Sequence, residues 1–465
     1  MNKMTNMTNQ DLQALARRHL WMHFSPMGNF QTEEIPVITH GEGCYVFDAH
    51  GKKYLDGLAG LFVTQVGHGR KSIAEAAAKQ TEKLAYFPVW NYAHQPAIEL
   101  AARIADLAPG DLNRVFFTGG GSEAVESAWK LLRQYFAEIG QPGRYKVISR
   151  TLAYHGTSMG ALSINGLSEI RNIFEPLVPG VRHVENTDAY RSHLMQEGDT
   201  SAEFGKKCAF EIERAIQIEG PDTVAAVYLE PVQNSGGCIT PPDGYFQEAR
   251  KICDKYGVKL VSDEVICAFG RLGHMFGSQR FDYQPDIITC AKGLTSGYAP
   301  MGAMIASDHL MEPFLKKDAT FLHGITFAGH PVACAVAMAN LDIFEDEDIC
   351  GNVLKNEPLF KELLEGLYDL PIVGNVRGAG YFWGIVLVKD KATKEEFTDE
   401  EAASLIFDFI SSRLLEEGLI CRTDDRGSPV IQLSPPLTCG PDELREIAGT
   451  LRKVLSEASE RMKSL

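Results

Sequence analysis

From about residue 98 onward, apolar positions switch repeatedly between two spacings. IELAARIADLA has the three-to-four spacing of an amphipathic helix. RVFFT (114–118) is a short, dense apolar run bounded by a glycine turn, which predicts a strand. SEAVESAWKLLRQYF places Val125, Trp129, Leu132 and Phe136 on one helical face. The runs YKVISR and TVAAVYLEP predict strands, FQEARKICDKYG a helix, and VKLVSDEV, DIITCAK and GAMIAS further strands. Continuous Val/Ile-rich strands between helices indicate an α/β fold, with a mainly parallel sheet covered on both faces.

The two ends differ. Residues 1–25 carry a helical pattern (Leu12, Leu15, Ala16, His19, Leu20), and CYVFDAHGKKYLD predicts a hairpin turning at Asp48-Ala49-His50-Gly51. Near the C-terminus, VGNVRGAGYFWGIVLV is strand-like and EEAASLIFDFISSRLLEEG helical. VIQLSP predicts a strand and PDELREIAGTLRKVLSEASERM a closing helix. The expected organisation is a large domain over 60–335 and a smaller α/β domain built from 1–59 and 336–465.

Composition adds exclusions. The chain has 465 residues, 45% hydrophobic and 23% charged, enough apolar material for large cores. Its formal net charge of −16 disfavours nucleic acid or an anionic membrane as main partner. The ten cysteines form no Cys-x-x-Cys pair and are expected to be reduced core residues. With no apolar leader at the N-terminus and no apolar run of membrane-spanning length, the expectation is a cytoplasmic, soluble protein.

Ligands of open α/β sheets bind beyond the carboxyl ends of the strands, so the residues there carry the candidate chemistry. After RVFFT come Gly119-Gly120-Gly121-Ser122 and a helix start, an arrangement that binds anions through bare N–H groups and the helix dipole. The same glycines fit a tight turn without ligand, or a Gly-x-Gly-x-x-Ala dinucleotide turn. The dinucleotide reading is weakened because the next strand ends at Ser149-Arg150 rather than in an acid. Tyr154 and His155 follow the next strand, Glu230 the one after, and Asp263-Glu264 the one after that. Adjacent acids on a strand face opposite ways, which disfavours a shared metal. Lys292 ends DIITCAK. Most lysines snorkel to solvent, but one desolvated in a site becomes a nucleophile toward aldehydes and then a base. An anion cup, a carboxylate and such an amine are what pyridoxal 5′-phosphate requires of a protein.

The stretches LVSDEVICAFGRLGHMFG and QPDIITCAKGLTSGYAPMGA, with HGEGCYVFDAHGKKYLDG, VFFTGGGSEAVESAWK, AYHGTSMGA, LEPVQNSGG and HGITFAGHPVACA, resemble the class III pyridoxal-phosphate aminotransferases of fold type I along nearly the whole chain. The resemblance implies that Lys292 links to the cofactor aldehyde and Asp263 pairs with its ring nitrogen. Val265 and Tyr154 would flank the ring, with His155 beside the cofactor. Gly120, Gly121 and Ser122 would hold the phosphate, joined by Thr326 of a neighbouring subunit, which makes a homodimer obligatory and a tetramer an option. Glu230 is expected behind these residues.

Ile266 and Ser235 replace a glutamine and a glutamate found in the ornithine and 4-aminobutyrate branches. These departures resemble the ω-amino acid and amine:pyruvate transaminases. There an arginine at the position of Arg422 grips a carboxylate and swings aside for apolar amines. Without a glutamate at 235, Arg422 is expected to be free to move; the alternative is a surface loop arginine. Phe62, Trp90 and Tyr154 would be aromatic pocket walls, although Phe62 and Trp90 also suit core or subunit packing. The implied reaction is amino transfer from an amine or ω-amino acid to pyruvate or a similar oxo acid by a ping-pong route. A class III decarboxylase, an aminomutase and an NADP-dependent oxidoreductase are the alternatives.

Overall fold

The computed structural model describes residues 7–316, 318–424 and 426–463. Residues 1–6 of the expected N-terminal helical region lie outside them. The first helix, Asn9–His19, is opened by Thr8, whose hydroxyl accepts from Asp11 N while the Asp11 carboxylate accepts from Thr8 N. Strands β1 (Ile38–Glu42), β2 (Tyr45–Asp48) and β3 (Lys53–Asp56) follow as an antiparallel meander. The β2–β3 turn falls at the expected residues. Gly51, at φ +80°, donates to the Asp48 carbonyl at 3.0 Å.

The large sheet has seven strands: β4 (Leu112–Thr118), β5 (Lys146–Arg150), β6 (Val181–Val184), β7 (Val224–Leu229), β8 (Lys259–Asp263), β9 (Ile287–Cys290) and β10 (Gly302–Ser307). Their spatial order is β4-β10-β9-β8-β7-β5-β6, and β10 runs antiparallel to both its neighbours. All other pairings are parallel. Every position of β7, β9 and β10 is buried, which is why these strands read as unbroken apolar runs. Consecutive residues divide between the two faces. Val147, Ala226 and Val261 pack with Val125, Trp129 and Leu132 of the helix Gly121–Glu138. Ile148, Val227 and Leu260 pack with Phe204, Ile212 and Phe246 from the helices Ser201–Glu219 and Tyr245–Tyr256. This is the doubly covered sheet expected from the pattern.

The strand-like stretch near residue 380 is not one strand. It is a hairpin of β11 (Val373–Ala379) and β12 (Phe382–Leu387), with Ala379 opposite Phe382. Gly380 makes the reversal at φ +58°, where a Cβ would come within 2.5 Å of the Arg271 carbonyl oxygen, so glycine is required there. The expected helix at 400–418 starts at Asp399–Ala402, continues as π-helix over Ala403–Ser411 and closes as α-helix over Ser412–Glu416. The short strand β13 (Leu419–Ile420) joins β3 in parallel. One residue later β14 (Arg422–Asp424) enters a different sheet, beside β15 (Val430–Leu433), which pairs with β12.

Gly384 of β12 lies against the backbone of Gly237, where a Cβ would sit 2.5 Å from the carbonyl oxygen. Gly384→Ala is expected to cost about 1–3 kcal/mol through overpacking. Thermal denaturation should show a lower Tm; an unchanged Tm would contradict this contact.

Candidate active site

The carboxyl ends of the parallel strands open into a cavity of about 760 Å³. Lys292 enters it from the turn after β9. Its backbone holds φ +43°, a left-handed conformation that a non-glycine residue keeps only when its surroundings enforce it. Asn340 supplies part of that enforcement by donating from Nδ2 to the carbonyls of Gly293 (2.9 Å) and Leu294 (3.1 Å). Lys292 Nζ lies 5.4 Å from the Phe62 ring centroid. Burial pushes its pKa down to about 8; the charge of Asp263 opposes the shift and that of Arg422 adds to it. At neutral pH on the order of a tenth of such amines are unprotonated, far more than for an exposed lysine.

Asp263 ends β8 and is held from several sides. Its Oδ2 lies 2.6 Å from His155 Nδ1, while Oδ1 accepts from Thr289 Oγ1 (3.2 Å) and from Val265 N (3.2 Å). His155 is in turn 3.1 Å from Ser149 Oγ through Nε2. Glu264 faces the other way. It accepts from Ser278 N at 2.9 Å, from Ser262 Oγ at 3.1 Å and from Gly277 N, and burial pushes its pKa to about 7. The adjacent acids therefore serve separate sites, and among the described residues no acid, histidine or cysteine cluster is suited to a metal.

The glycine turn after β4 leads into the helix Gly121–Glu138, whose N-terminus no side chain caps. Its first N–H groups are thus available to an anion. A Cβ on Gly121 would lie 2.8 Å from Val265 Cγ1, so glycine lets this helix start beside the end of β8. Ser122 Oγ accepts from Thr157 N at 3.2 Å, docking the Tyr154–Thr157 turn on the same helix end. Gly156, at φ +117°, would place a Cβ 2.2 Å from Ser122 Oγ. A poised amine, an anchored carboxylate, an uncapped helix start and the Tyr154 ring line one cavity, and together they fit pyridoxal 5′-phosphate.

The other sequence candidates are placed less uniformly. Phe62, Val265 and Arg422 line the cavity. Glu230 lines it too, rather than standing behind it. Glu230 accepts from Tyr154 N (3.2 Å) and Asn234 N (3.0 Å), and burial raises its pKa. Gly120 is the residue just before the helix and is not in the cavity wall. Ser235 is buried away from the wall. Trp90 is 64% exposed and does not line the cavity of its own chain. Thr326 is also exposed outside it, and its carbonyl accepts from Tyr86 Oη at 2.7 Å.

One expectation needs correction. Arg422 is not left without an acid by Ser235, because its Nη2 lies 3.1 Å from Asp424 Oδ2. Asp424 and Arg426 line the cavity and were missed from the sequence. Their one signal was proximity to Arg422 in CRTDDRG.

Acetylation of cofactor-free protein by acetic anhydride across pH should report the Lys292 amine directly. Its labelling rate is expected to rise with a midpoint near 8, since only the neutral amine reacts and burial has lowered its pKa. Asp263→Asn should move that midpoint down and Arg422→Ala up. A midpoint at the ordinary lysine value of 10.5 would contradict the burial described.

Comparison with known proteins agrees with this geometry. The family model "Aminotransferase class-III" matches residues 28–455. A protein described as a probable aminotransferase of Mycobacterium tuberculosis is 58% identical over 440 residues, covering 95% of this chain and 93% of its own. Putrescine–pyruvate aminotransferase of Pseudomonas aeruginosa is 38% identical, with 98% of each chain covered. Among solved structures, an (S)-enantioselective omega-transaminase of Thermomicrobium roseum superposes with a TM-score of 0.93 at 40% identity, covering 97% of this chain and 99% of that one. The omega-transaminase of Pseudomonas jessenii in complex with PMP superposes at 0.92 with 32% identity over 97% and 99% of the two chains. The chain belongs to the class III aminotransferases, which use pyridoxal 5′-phosphate on the type I fold.

Proposed function

We propose that this aminotransferase moves an amino group from a primary amine or ω-amino acid to pyruvate or a similar oxo acid, in two half-reactions at one site of a homodimer. The observation that carries this reading is the joint presence of the Lys292 amine, the Arg422 guanidinium and an apolar wall of Leu58, Leu61, Phe62 and Ile266 in one cavity. An oxo acid needs a cation for its carboxylate, and an arginine offers two parallel donors. An apolar amine needs greasy surface instead.

Lys292 would hold the cofactor by its aldehyde, Asp263 its ring nitrogen, Gly121 and Ser122 its phosphate, and Val265 and Tyr154 its ring faces. When bound, the cofactor supplies an electron sink and carries the amino group between the two half-reactions. Lys292 Nζ takes the proton from the carbon bearing the donor's amine, a role suited to an amine with a pKa of about 8. His155 and Thr289 keep the Asp263 carboxylate aimed, so that its negative charge is in place without rearrangement. Arg422 orients the acceptor through its carboxylate. Ile266 and Phe62 bury the organic part of the donor.

Subunit pairing is supported by the surface around Thr326. Trp90 (64% exposed), Tyr92, Phe87, Leu322 and Phe327 leave large apolar side chains open there. A stable soluble monomer rarely leaves such a cluster uncovered, and a second copy would both cover it and bring Thr326 to a neighbouring cavity.

Loaded enzyme should convert pyruvate to alanine when given β-alanine, putrescine or 1-phenylethylamine, each tested singly. Release of CO₂ from the donor, or isomerisation without an acceptor, would overturn the reading. Lys292→Ala should lower turnover by about 10³-fold or more, having removed both the attachment point and the base. Arg422→Ala should raise the pyruvate KM by about tenfold while sparing kcat/KM for 1-phenylethylamine. Sedimentation equilibrium should give twice the chain mass of 51.2 kDa or a multiple of it; a monomer carrying full activity would remove the shared-site reading.

A further inference from the structure

Strand β14 carries Arg422 and Asp424 two residues apart, on the same face. Arg422 comes nearest the acid through Nη2, at 3.1 Å from Oδ2. Arg426 grips the same carboxylate from two sides, Nε to Oδ1 at 2.8 Å and Nη2 to Oδ2 at 2.8 Å. The backbone N–H of Arg426 adds a third contact, to Oδ1 at 3.2 Å. The Asp424 side chain is 5% exposed, Arg426 13% and Arg422 24%. The Arg426 guanidinium also lies 6.0 Å from the Tyr154 ring centroid, so the group is continuous with the cavity wall.

Two guanidinium groups therefore share one carboxylate oxygen, and they share it unequally. Arg426 has the two-pronged, charge-assisted geometry that makes such pairs strong, at 2.8 Å on each oxygen, whereas Arg422 comes no nearer than 3.1 Å. The two cations also repel each other across the oxygen they share. A buried carboxylate that loses its partner is strongly disfavoured. Here Asp424 keeps Arg426 when Arg422 leaves, so departure does not strand a charge.

We propose that Asp424 is the resting partner of Arg422, and that Arg426 is a positioning residue that loosens Arg422's hold on it. Together they set the balance between oxo acids and apolar amines. The proposal rests on the reading of Arg422 as the residue that grips the oxo-acid carboxylate. With no carboxylate in the cavity, Arg422 stays drawn to Asp424 and the apolar wall is open. An arriving oxo acid competes with Asp424 for the same guanidinium. Charge at the resting position is kept by Arg426 throughout.

The two partners of the device are expected to fail in opposite directions. Steady-state kinetics on the loaded enzyme would compare the KM for pyruvate with kcat/KM for 1-phenylethylamine. Asp424→Asn removes the resting partner, so Arg422 projects into the cavity. The pyruvate KM should fall and kcat/KM for the apolar amine should fall, each by about threefold or more, as expected for losing a partly buried ion pair. Arg426→Gln leaves Asp424 pulling harder on Arg422. The pyruvate KM should then rise by about threefold or more, with the apolar amine spared. Arg426→Lys keeps the charge but loses the second prong, and should fall between Arg426→Gln and the parent. In an Arg422→Ala background all these shifts should vanish.

Shifts of the pyruvate KM in the same direction in Asp424→Asn and Arg426→Gln would overturn the proposal, as would shifts that persist without Arg422. If Asp424→Asn does not fold, the Arg426 series decides alone, and a pyruvate KM equal to the parent's in both Arg426 variants refutes it. If Arg422→Ala by itself leaves the pyruvate KM unchanged, the carboxylate-gripping role of Arg422 falls and this proposal falls with it.

Discussion

A primary amine kept out of water loses most of the solvation that favours its charged form, and the floor of this cavity is organised around that cost. Lys292 is half-buried, and the loss of water around its amine lowers its pKa to about 8. It remains partly charged because Asp263 stands near it, and Asp263 can stand there because His155, Thr289 and Val265 N satisfy its oxygens. The chain of support runs outward to Ser149 behind His155 and to Asn340 behind the Lys292 turn. Each contact is ordinary in strength. Their joint effect is an amine and a carboxylate fixed in one small space with no rearrangement left to make.

That arrangement depends on where the sheet places its strand ends. β8 and β9 are adjacent, so Asp263 and Thr289 come into register as neighbours. β4 and β5 lie on either side of this pair, and deliver the glycine turn and the Tyr154–Thr157 turn to the same opening. Gly121 and Gly156 allow the close approaches, to Val265 and Ser122 respectively. The site is thus a consequence of strand order as much as of side-chain identity.

The central strands and the residues after them were legible in the sequence for a simple reason. A strand buried on both faces must be apolar throughout, and a polar residue just beyond it stands out, as Lys292 does after Ile287–Cys290. Edge elements lack that contrast. β6, with Arg182 and His183 between two valines and only one buried position, gave no apolar run and went unpredicted. The β11–β12 reversal was hidden because Gly380 and the fully buried Tyr381 continue an apolar stretch rather than interrupt it. Trp90 suited a pocket wall or subunit packing by type alone; it stands beside Gly324, outside the cavity of its own chain, and residue type does not tell these places apart. Arg426 grips Asp424 from two positions further along the chain, in a polar stretch where the apolar pattern carries no signal.

The passage from β13 to β14 is the feature with the widest reach. A single residue, Cys421, separates a strand bonded to β3 from a strand bonded to β15. The backbone on either side of Arg422 is thereby tethered to two different sheets, so its reach is a matter of side-chain rotation rather than of chain displacement. Further along, the connector from Asp424 to Val430 is held at Ser428, whose Oγ donates to Glu396 Oε1 at 3.0 Å, and at Pro429, whose carbonyl accepts from Leu387 N at 2.8 Å. Descent with insertions or deletions in that connector could remodel the rim, and with it the range of amines admitted, while the guanidinium stayed on an unmoved pivot.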